Sequence, residues 1–296
     1  MKYTVVILVL LAVFGLTSNV TAEERVERNV VFGMYSGLAL LMDVYYPEQS
    51  NGYGIVFISG SGWTRELSMD ATPLKESGQE RIYAVPLAQA GYTVFGINHR
   101  ASPRFRHPDH LEDAQRAVRF VRHHAAQFGI DSERIGAMGG SSGGHLVSLL
   151  GVLDGMGDGN DVSGVNQESA KVQVVVARAA PSVLTLASPR RNHPLFGFRR
   201  SERQDSDEYR KFVEASPVTH VTSDDAPTLL IHGDADTTVI YENSEIMKTA
   251  LSRSGVAVDL LRIIGGGHGP TFPGAVNPPD FIAATIEWFD RYLPAQ

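Results

Sequence analysis

Hydrophobic positions along the chain fall into short unbroken runs and longer stretches with a helical beat, and the two kinds alternate. Residues 29–35 and 38–46 read as two strands joined at Ser36-Gly37, a hairpin. Residues 54–59 form a continuous apolar run that ends in Gly60-Ser61-Gly62-Trp63. Such a run suits a strand buried on both faces of a sheet. Residues 82–90 read as a helix stopped at Gly91, and 92–98 as the next strand. The clearest helix spans 111–128: Leu111, Ala114, Ala117, Val118 and Val121 recur at helical spacing, and Gly129 closes it. Strands follow at 134–138, 172–178, 227–232 and 256–264, and helices at 145–151, 242–252 and 280–293.

About eight strands alternating with helices predict βαβ crossovers, and so an α/β fold with a mostly parallel sheet whose antiparallel pair comes first. No internal repeat or low-complexity linker divides the chain, so residues 23–296 are expected to form one domain. Residues 188–212 break the pattern. They are rich in arginine (190, 191, 199, 200 and 203) and carry Pro189 and Pro194. They read as a lid-like insertion over the carboxyl edge of the sheet, where ligands bind in open α/β folds.

The first residues follow a different logic. Lys2 precedes an apolar run over 5–16, then polar residues, then Val20-Thr21-Ala22. The run is short for a membrane span, and small residues stand where a signal peptidase cuts. A signal peptide at 1–22 is expected, with export to a periplasm or the medium and no stable membrane insertion after cleavage. Cysteine is absent, which excludes disulfides, thiolate metal sites and a cysteine nucleophile. The 296 residues carry 26 basic and 33 acidic side chains, a formal charge of −7, which argues against a nucleic-acid partner.

Candidate chemistry concentrates in a few loops. A serine hydroxyl attacks only if a base takes its proton and if it protrudes toward substrate, which a sharp strand-to-helix turn with the pattern G-x-S-x-G achieves. Gly139-Gly-Ser-Ser-Gly-Gly144 satisfies that pattern twice, so spacing leaves both Ser141 and Ser142 open. Of ten histidines, His268 fits the base: it follows a late strand within Gly265-Gly-Gly-His-Gly269. His107, His110, His123, His124, His193 and His220 read as surface residues, His145 as structural and His232 as a support for the acid loop. The acid comes from His232-Gly-Asp-Ala-Asp236, with Asp236 orienting the histidine and Asp234 capping the turn. Oxyanion donors are expected from the backbone of Ser61 and Gly62 and from the residue after the nucleophile, Ser142 if Ser141 attacks, with Trp63 against the substrate.

These motifs, with Asn98-His-Arg100 and Asp113, resemble the bacterial α/β-hydrolase esterases related to hormone-sensitive lipase. The branch containing acetyl xylan and feruloyl esterases is the most similar. The resemblance covers nearly the whole chain after residue 22 and implies Ser141 as nucleophile, with Ser142 in a slot usually held by alanine. It implies a serine carboxylesterase acting on small acyl esters, or on a decorated carbohydrate, with no cofactor. One departure stands out. The family's oxyanion loop reads His-Gly-Gly-Gly-Trp, whereas Ser59 and Ser61 stand here. A peptidase of the prolyl-peptidase kind shares the elbow but needs a propeller-sized region, and a non-catalytic binding protein would not need a complete triad. The run 154–161 loosely resembles a calcium loop, but Met156 holds a ligand position and Val165 stands where a glutamate is needed. No metal is therefore expected.

Overall fold

The computed structural model describes residues 25–294; the expected leader at 1–22 lies outside the described residues. In chain order the elements are β1 (Arg25–Tyr35), β2 (Leu38–Tyr46), β3 (Gly54–Ile58), α1 (Gln79–Ile82), α2 (Ala84–Gln89), β4 (Thr93–Ile97), α3 (Asp109–His123), α4 (Ala125–Phe128) and β5 (Ile135–Gly140). There follow α5 (Ser142–Val152), α6 (Gly164–Gln167), β6 (Val174–Arg178), α7 (Asp207–Glu214), β7 (Thr228–Gly233), α8 (Glu242–Arg253), β8 (Val258–Ile263) and α9 (Phe281–Tyr292).

The eight strands make one sheet in the order β1-β2-β4-β3-β5-β6-β7-β8. The hairpin β1–β2 and the β2–β4 pair are antiparallel, and every later pairing is parallel. This is the α/β-hydrolase fold. Apolar runs such as Gly54–Ile58 are buried at every position because helices cover both faces. Val56 and Ile58 point to the face packed by Val118 and Val121 of α3, Leu146 and Leu150 of α5, and Leu251 of α8. Ile55 and Phe57 point to the opposite face, under Leu87 of α2 and Trp288 and Phe289 of α9. Parallel strands put all their carboxyl ends on one edge, so the loops after β3, β5, β7 and β8 converge there.

Two expected helices are each divided. The helix expected at 82–90 is α1 and α2, because Pro86 has no N–H to give the Ile82 carbonyl and the chain restarts at Tyr83. The helix expected at 111–128 begins earlier, at Asp109, and breaks at His124 before the short α4. The earlier start moves His110 onto the buried stripe shared by Ala114 and Ala117, so it is fully buried rather than on the surface. Its Nε2 lies 3.3 Å from the Trp63 carbonyl. Residues 188–212 form an irregular stretch that runs into α7. Leu195, Phe196 and Phe212 join Trp63, Leu184 and Ala215 in a small separate core.

A buried ion pair ties the edge of the sheet to the turn before α1. Asp43 of β2 accepts the Lys75 ammonium at 2.8 Å, and neither side chain is exposed. Asp43 also takes the Asn29 N–H at 2.9 Å and Arg28 at 2.8 Å. Removing one partner of such a pair strands a charge in a low-dielectric interior. Asp43→Ala is expected to lower unfolding free energy by about 3–5 kcal/mol in urea titrations. Adding Lys75→Met to it should restore most of the loss.

Candidate active site

Strand β5 runs into α5 through Ser141, whose backbone sits at φ 53° and ψ −121°. That conformation is strained for a residue with a side chain and has to be held by its neighbours. The Ser141 N–H donates to the Arg178 carbonyl of β6 at 2.8 Å. A side chain at Gly139 would meet the Gly143 carbonyl at 2.5 Å, and one at Gly143 would meet the Ile58 carbonyl at 2.1 Å. The tight turn therefore requires glycine two residues either side of Ser141. Ser142 is instead the first residue of α5 and is fully buried.

The loops after β7 and β8 bring the other two groups to Ser141. His268 Nε2 lies 2.9 Å from Ser141 Oγ, and His268 Nδ1 lies 2.6 Å from Asp236 Oδ2. Asp236 Oδ1 accepts the N–H groups of Thr238 at 2.8 Å and Val239 at 2.9 Å. His232, buried at the end of β7, stands 3.4 Å from Asp236 Oδ2, with its Nε2 at 2.9 Å from the Val239 carbonyl and its Nδ1 at 2.7 Å from Ser244 Oγ. Burial alone would raise the Asp236 pKa, but the hydrogen bonds from His232, His268 and the Val239 amide outweigh it and hold the carboxyl well below the usual range. Asp234 accepts the Gly265 N–H at 2.7 Å and pairs with Arg262 at 2.7 Å, which closes the turn after β8.

The loop after β3 is anchored residue by residue. Ser59, where the resembled family has histidine, gives its hydroxyl to buried Glu80 at 2.8 Å. Gly60 is held by the Gln79 side chain from both sides: its N–H reaches Oε1 at 3.2 Å and its carbonyl takes Nε2 at 3.0 Å. The Ser61 N–H donates to Ser142 Oγ at 2.8 Å. Trp63, at φ 58°, gives its indole N–H to His145 Nδ1 at 3.2 Å. The indole is thus turned into the wall and is only 5% exposed, where the sequence placed it against substrate. His145 in turn reaches the Ala215 carbonyl at 2.8 Å through Nε2, so one ring joins the loop, α5 and the end of α7.

The anchors Gln79, Glu80 and Arg178 escape the sequence reading. Arg178 had a signal, a charge closing the apolar strand Val174–Arg178. Gln79 and Glu80 precede a proline-broken helix and carry none. The arginine-rich stretch borders a cavity of about 820 Å3 lined by Arg190, Arg199, Arg200 and Arg203 together with Glu202 and Glu208. Arg203 pairs with Asp205 at 3.1 Å. Among the described residues there is no cluster of three metal-ligating side chains and no helix long and apolar enough to cross a membrane.

The fold and the strand-to-helix serine turn define an α/β-hydrolase. The chain matches the BD-FAE family model over residues 42–251 and belongs to that family. Among sequence relatives, the probable carboxylic ester hydrolase LipM of Mycobacterium tuberculosis is 30% identical over 62% of this chain and 41% of that protein. Esterase LipQ of the same organism is 30% identical over 58% of this chain and 41% of that protein. The chain thus spans about two fifths of the length of these relatives. Among solved structures, a truncated carbohydrate esterase from gut microbiota superposes with a TM-score of 0.73 at 29% identity, covering 90% of this chain and 95% of that one. An acetyl ester-xyloside bifunctional hydrolase from Caldicellulosiruptor lactoaceticus gives a TM-score of 0.71 at 27% identity, covering 86% and 87%.

Complete burial lowers the His145 pKa to about 3, despite the bond to the Ala215 carbonyl. An unfolded histidine titrates near 6.5, so as pH falls from 7 to 5 the unfolded chain gains a proton that the folded chain refuses, and stability falls. Glutamine offers the same acceptor and donor without titrating. In His145→Gln the loss of unfolding free energy between pH 7 and pH 5 should shrink by about 2 kcal/mol, read from urea titrations at both values.

Proposed function

We propose that this chain is a serine carboxylesterase that hydrolyses small acyl esters, including acyl groups carried on a polysaccharide. The observation that carries the reading is the unbroken line from Asp236 through His268 to Ser141, with contacts of 2.6 and 2.9 Å at the carboxyl edge of the sheet. The presence of a carbohydrate esterase and an acetyl ester-xyloside bifunctional hydrolase among its structural neighbours supports the substrate class.

In this reading Ser141 Oγ attacks the ester carbonyl carbon while His268 Nε2 takes the hydroxyl proton. Negative charge gathers on the carbonyl oxygen, met by the N–H groups of Ser142, Gly62 and Ser61. The Ser61 N–H leaves the Ser142 hydroxyl to do this. Breaking the carbon–oxygen bond releases the alcohol, which receives the proton from His268, and leaves Ser141 acylated. Water then attacks the acyl carbon as His268 takes one of its protons. The carboxylic acid departs and Ser141 regains its hydrogen. Asp236 stays ionised throughout and keeps the imidazole turned toward the serine. The lid-like segment over 188–212 shapes the acyl or alcohol pocket. The leader at 1–22 is cut after Ala22, and the enzyme works in a periplasm or outside the cell.

Ser141→Ala should abolish turnover of p-nitrophenyl acetate and labelling by a fluorophosphonate, while Ser142→Ala, which leaves Ser141 and its base in place, should keep both. The opposite result would move the nucleophile to Ser142. Asp236→Asn is expected to lower kcat by roughly 10⁴-fold, because an amide lets the imidazole carry its proton on the wrong nitrogen. A steady-state assay of that variant with folding checked by circular dichroism measures it.

A further inference from the structure

Arg178 closes β6 in the middle of the sheet, is 2% exposed, and has no place in the reaction just described. A guanidinium withdrawn from water costs several kcal/mol unless a carboxylate and a full set of acceptors replace the solvent. Its buried Nε has no hydrogen-bond partner among the described residues, and the Asp236 carboxylate of the triad acts on its charge through space alongside Tyr83. The rings of Tyr83 and Phe272 flank the guanidinium at 5.6 and 5.7 Å, cation–π contacts that offset only part of that cost. A buried charge set beside reacting groups points to a role in the chemistry.

What Arg178 holds is specific. Nη1 donates to the carbonyl of Gly269, the residue after His268, at 2.6 Å. Nη2 reaches Gln79 Oε1 at 3.5 Å, the same atom that accepts the Gly60 N–H. The Arg178 carbonyl takes the Ser141 N–H. The elbow makes room for the fork, because a side chain at Gly140 would lie 2.0 Å from Nη2. We propose that Arg178 is a positioning residue that sets the histidine loop and the oxyanion loop in register with Ser141, acting through Gly269 on one arm and through Gln79 and Gly60 on the other. This rests on the esterase reading.

The role separates activity from stability. Loss of register moves the base and the oxyanion donors relative to the serine, and a displacement of about 1 Å there costs up to a hundredfold in rate. Replacing the guanidinium removes the cost of burying it together with its contacts, so the change in stability need not follow the change in rate. With the full chain and p-nitrophenyl acetate, Arg178→Met should lower kcat by about tenfold or more, with KM within about threefold and the melting temperature still well above the assay temperature. Gln79→Ala, on a half-exposed helix, should lower kcat in the same direction. Arg178→Lys keeps the charge and one donor, and should match Gln79→Ala by losing only the second arm. The double variant Arg178→Met/Gln79→Ala should be no slower than Arg178→Met, since both sit on one chain of contacts. A kcat for Arg178→Met within about twofold of the wild type, single effects that multiply in the double variant, or kcat losses in all variants that track a falling melting temperature would each overturn the proposal. Wild-type turnover that Ser141→Ala removes establishes the reading on which it rests. A wild type without turnover overturns both, whereas an unaffected Arg178→Met overturns this proposal alone.

Discussion

A residue with a side chain held at φ 53° and ψ −121° costs about 1–3 kcal/mol, and the centre of the molecule is built to sustain that one residue, Ser141. The strain lifts its hydroxyl clear of the sheet edge and hands its N–H to β6. Three close approaches follow. Gly139 and Gly143 let the start of α5 press against the end of β5, Gly143 lets both press against β3, and Gly140 leaves space for Arg178. Each approach brings a neighbouring strand end within reach of the serine. The loop after β3 and the Arg178 backbone of β6 are close because the turn is tight, so the strain and the assembly of the site are one feature.

The loop after β3 shows how the proposed backbone donors are kept in place with serine at 59, where the resembled family has histidine. N–H groups act on a developing charge most strongly when the backbone that carries them is already held, so each loop residue benefits from an anchor outside the loop. Glu80 holds Ser59, Gln79 holds Gly60, Ser142 holds Ser61 and His145 holds Trp63. Two anchors come from α1 and two from α5, so the loop is clamped between the helix before β4 and the helix after the serine. Serine at 142, in a slot that the family resemblance implies is usually alanine, belongs to this arrangement. Its hydroxyl accepts the Ser61 N–H, a donor that would otherwise stand unpaired and partly buried.

Much of this was legible in the sequence because it rests on local constraints. Unbroken apolar runs announced the parallel strands, since few polar side chains are tolerated between two helix layers. The glycines around Ser141 announced the turn, and the loops carrying Asp236 and His268 fell in the order an α/β sheet demands. Illegible were contacts between residues distant in the chain whose types have many uses. Gln79 and Gly60 are neither close in sequence nor linked by any periodicity, and their reciprocal pair exists only once α1 folds back on β3. His110 was misplaced because the start of α3 was set two residues late, at Leu111 and not Asp109, which left it off the buried stripe. Trp63 was expected against substrate because its loop lies at the site, whereas its ring finds better burial with Leu195, Phe196 and Phe212.

The same reasoning explains why one histidine of three in this neighbourhood is the proposed base. Each ring is held at both nitrogens, and the partners decide where the proton sits. The Trp63 indole can only donate, so His145 Nδ1 accepts and its Nε2 carries the hydrogen toward the Ala215 carbonyl. The Val239 carbonyl can only accept, so His232 Nε2 donates and its Nδ1 receives the Ser244 hydroxyl. Both rings spend their free lone pair on a structural donor. At His268 the order is reversed: the Asp236 carboxylate can only accept, which fixes the hydrogen on Nδ1 and leaves the Nε2 lone pair facing a hydroxyl that has a proton to give. The hydrogen bonds around Asp236 outweigh the effect of its burial and keep that carboxylate ionised, so the tautomer is maintained. Position in the sequence suggested His268; the donor and acceptor character of its two neighbours is what makes it able to act.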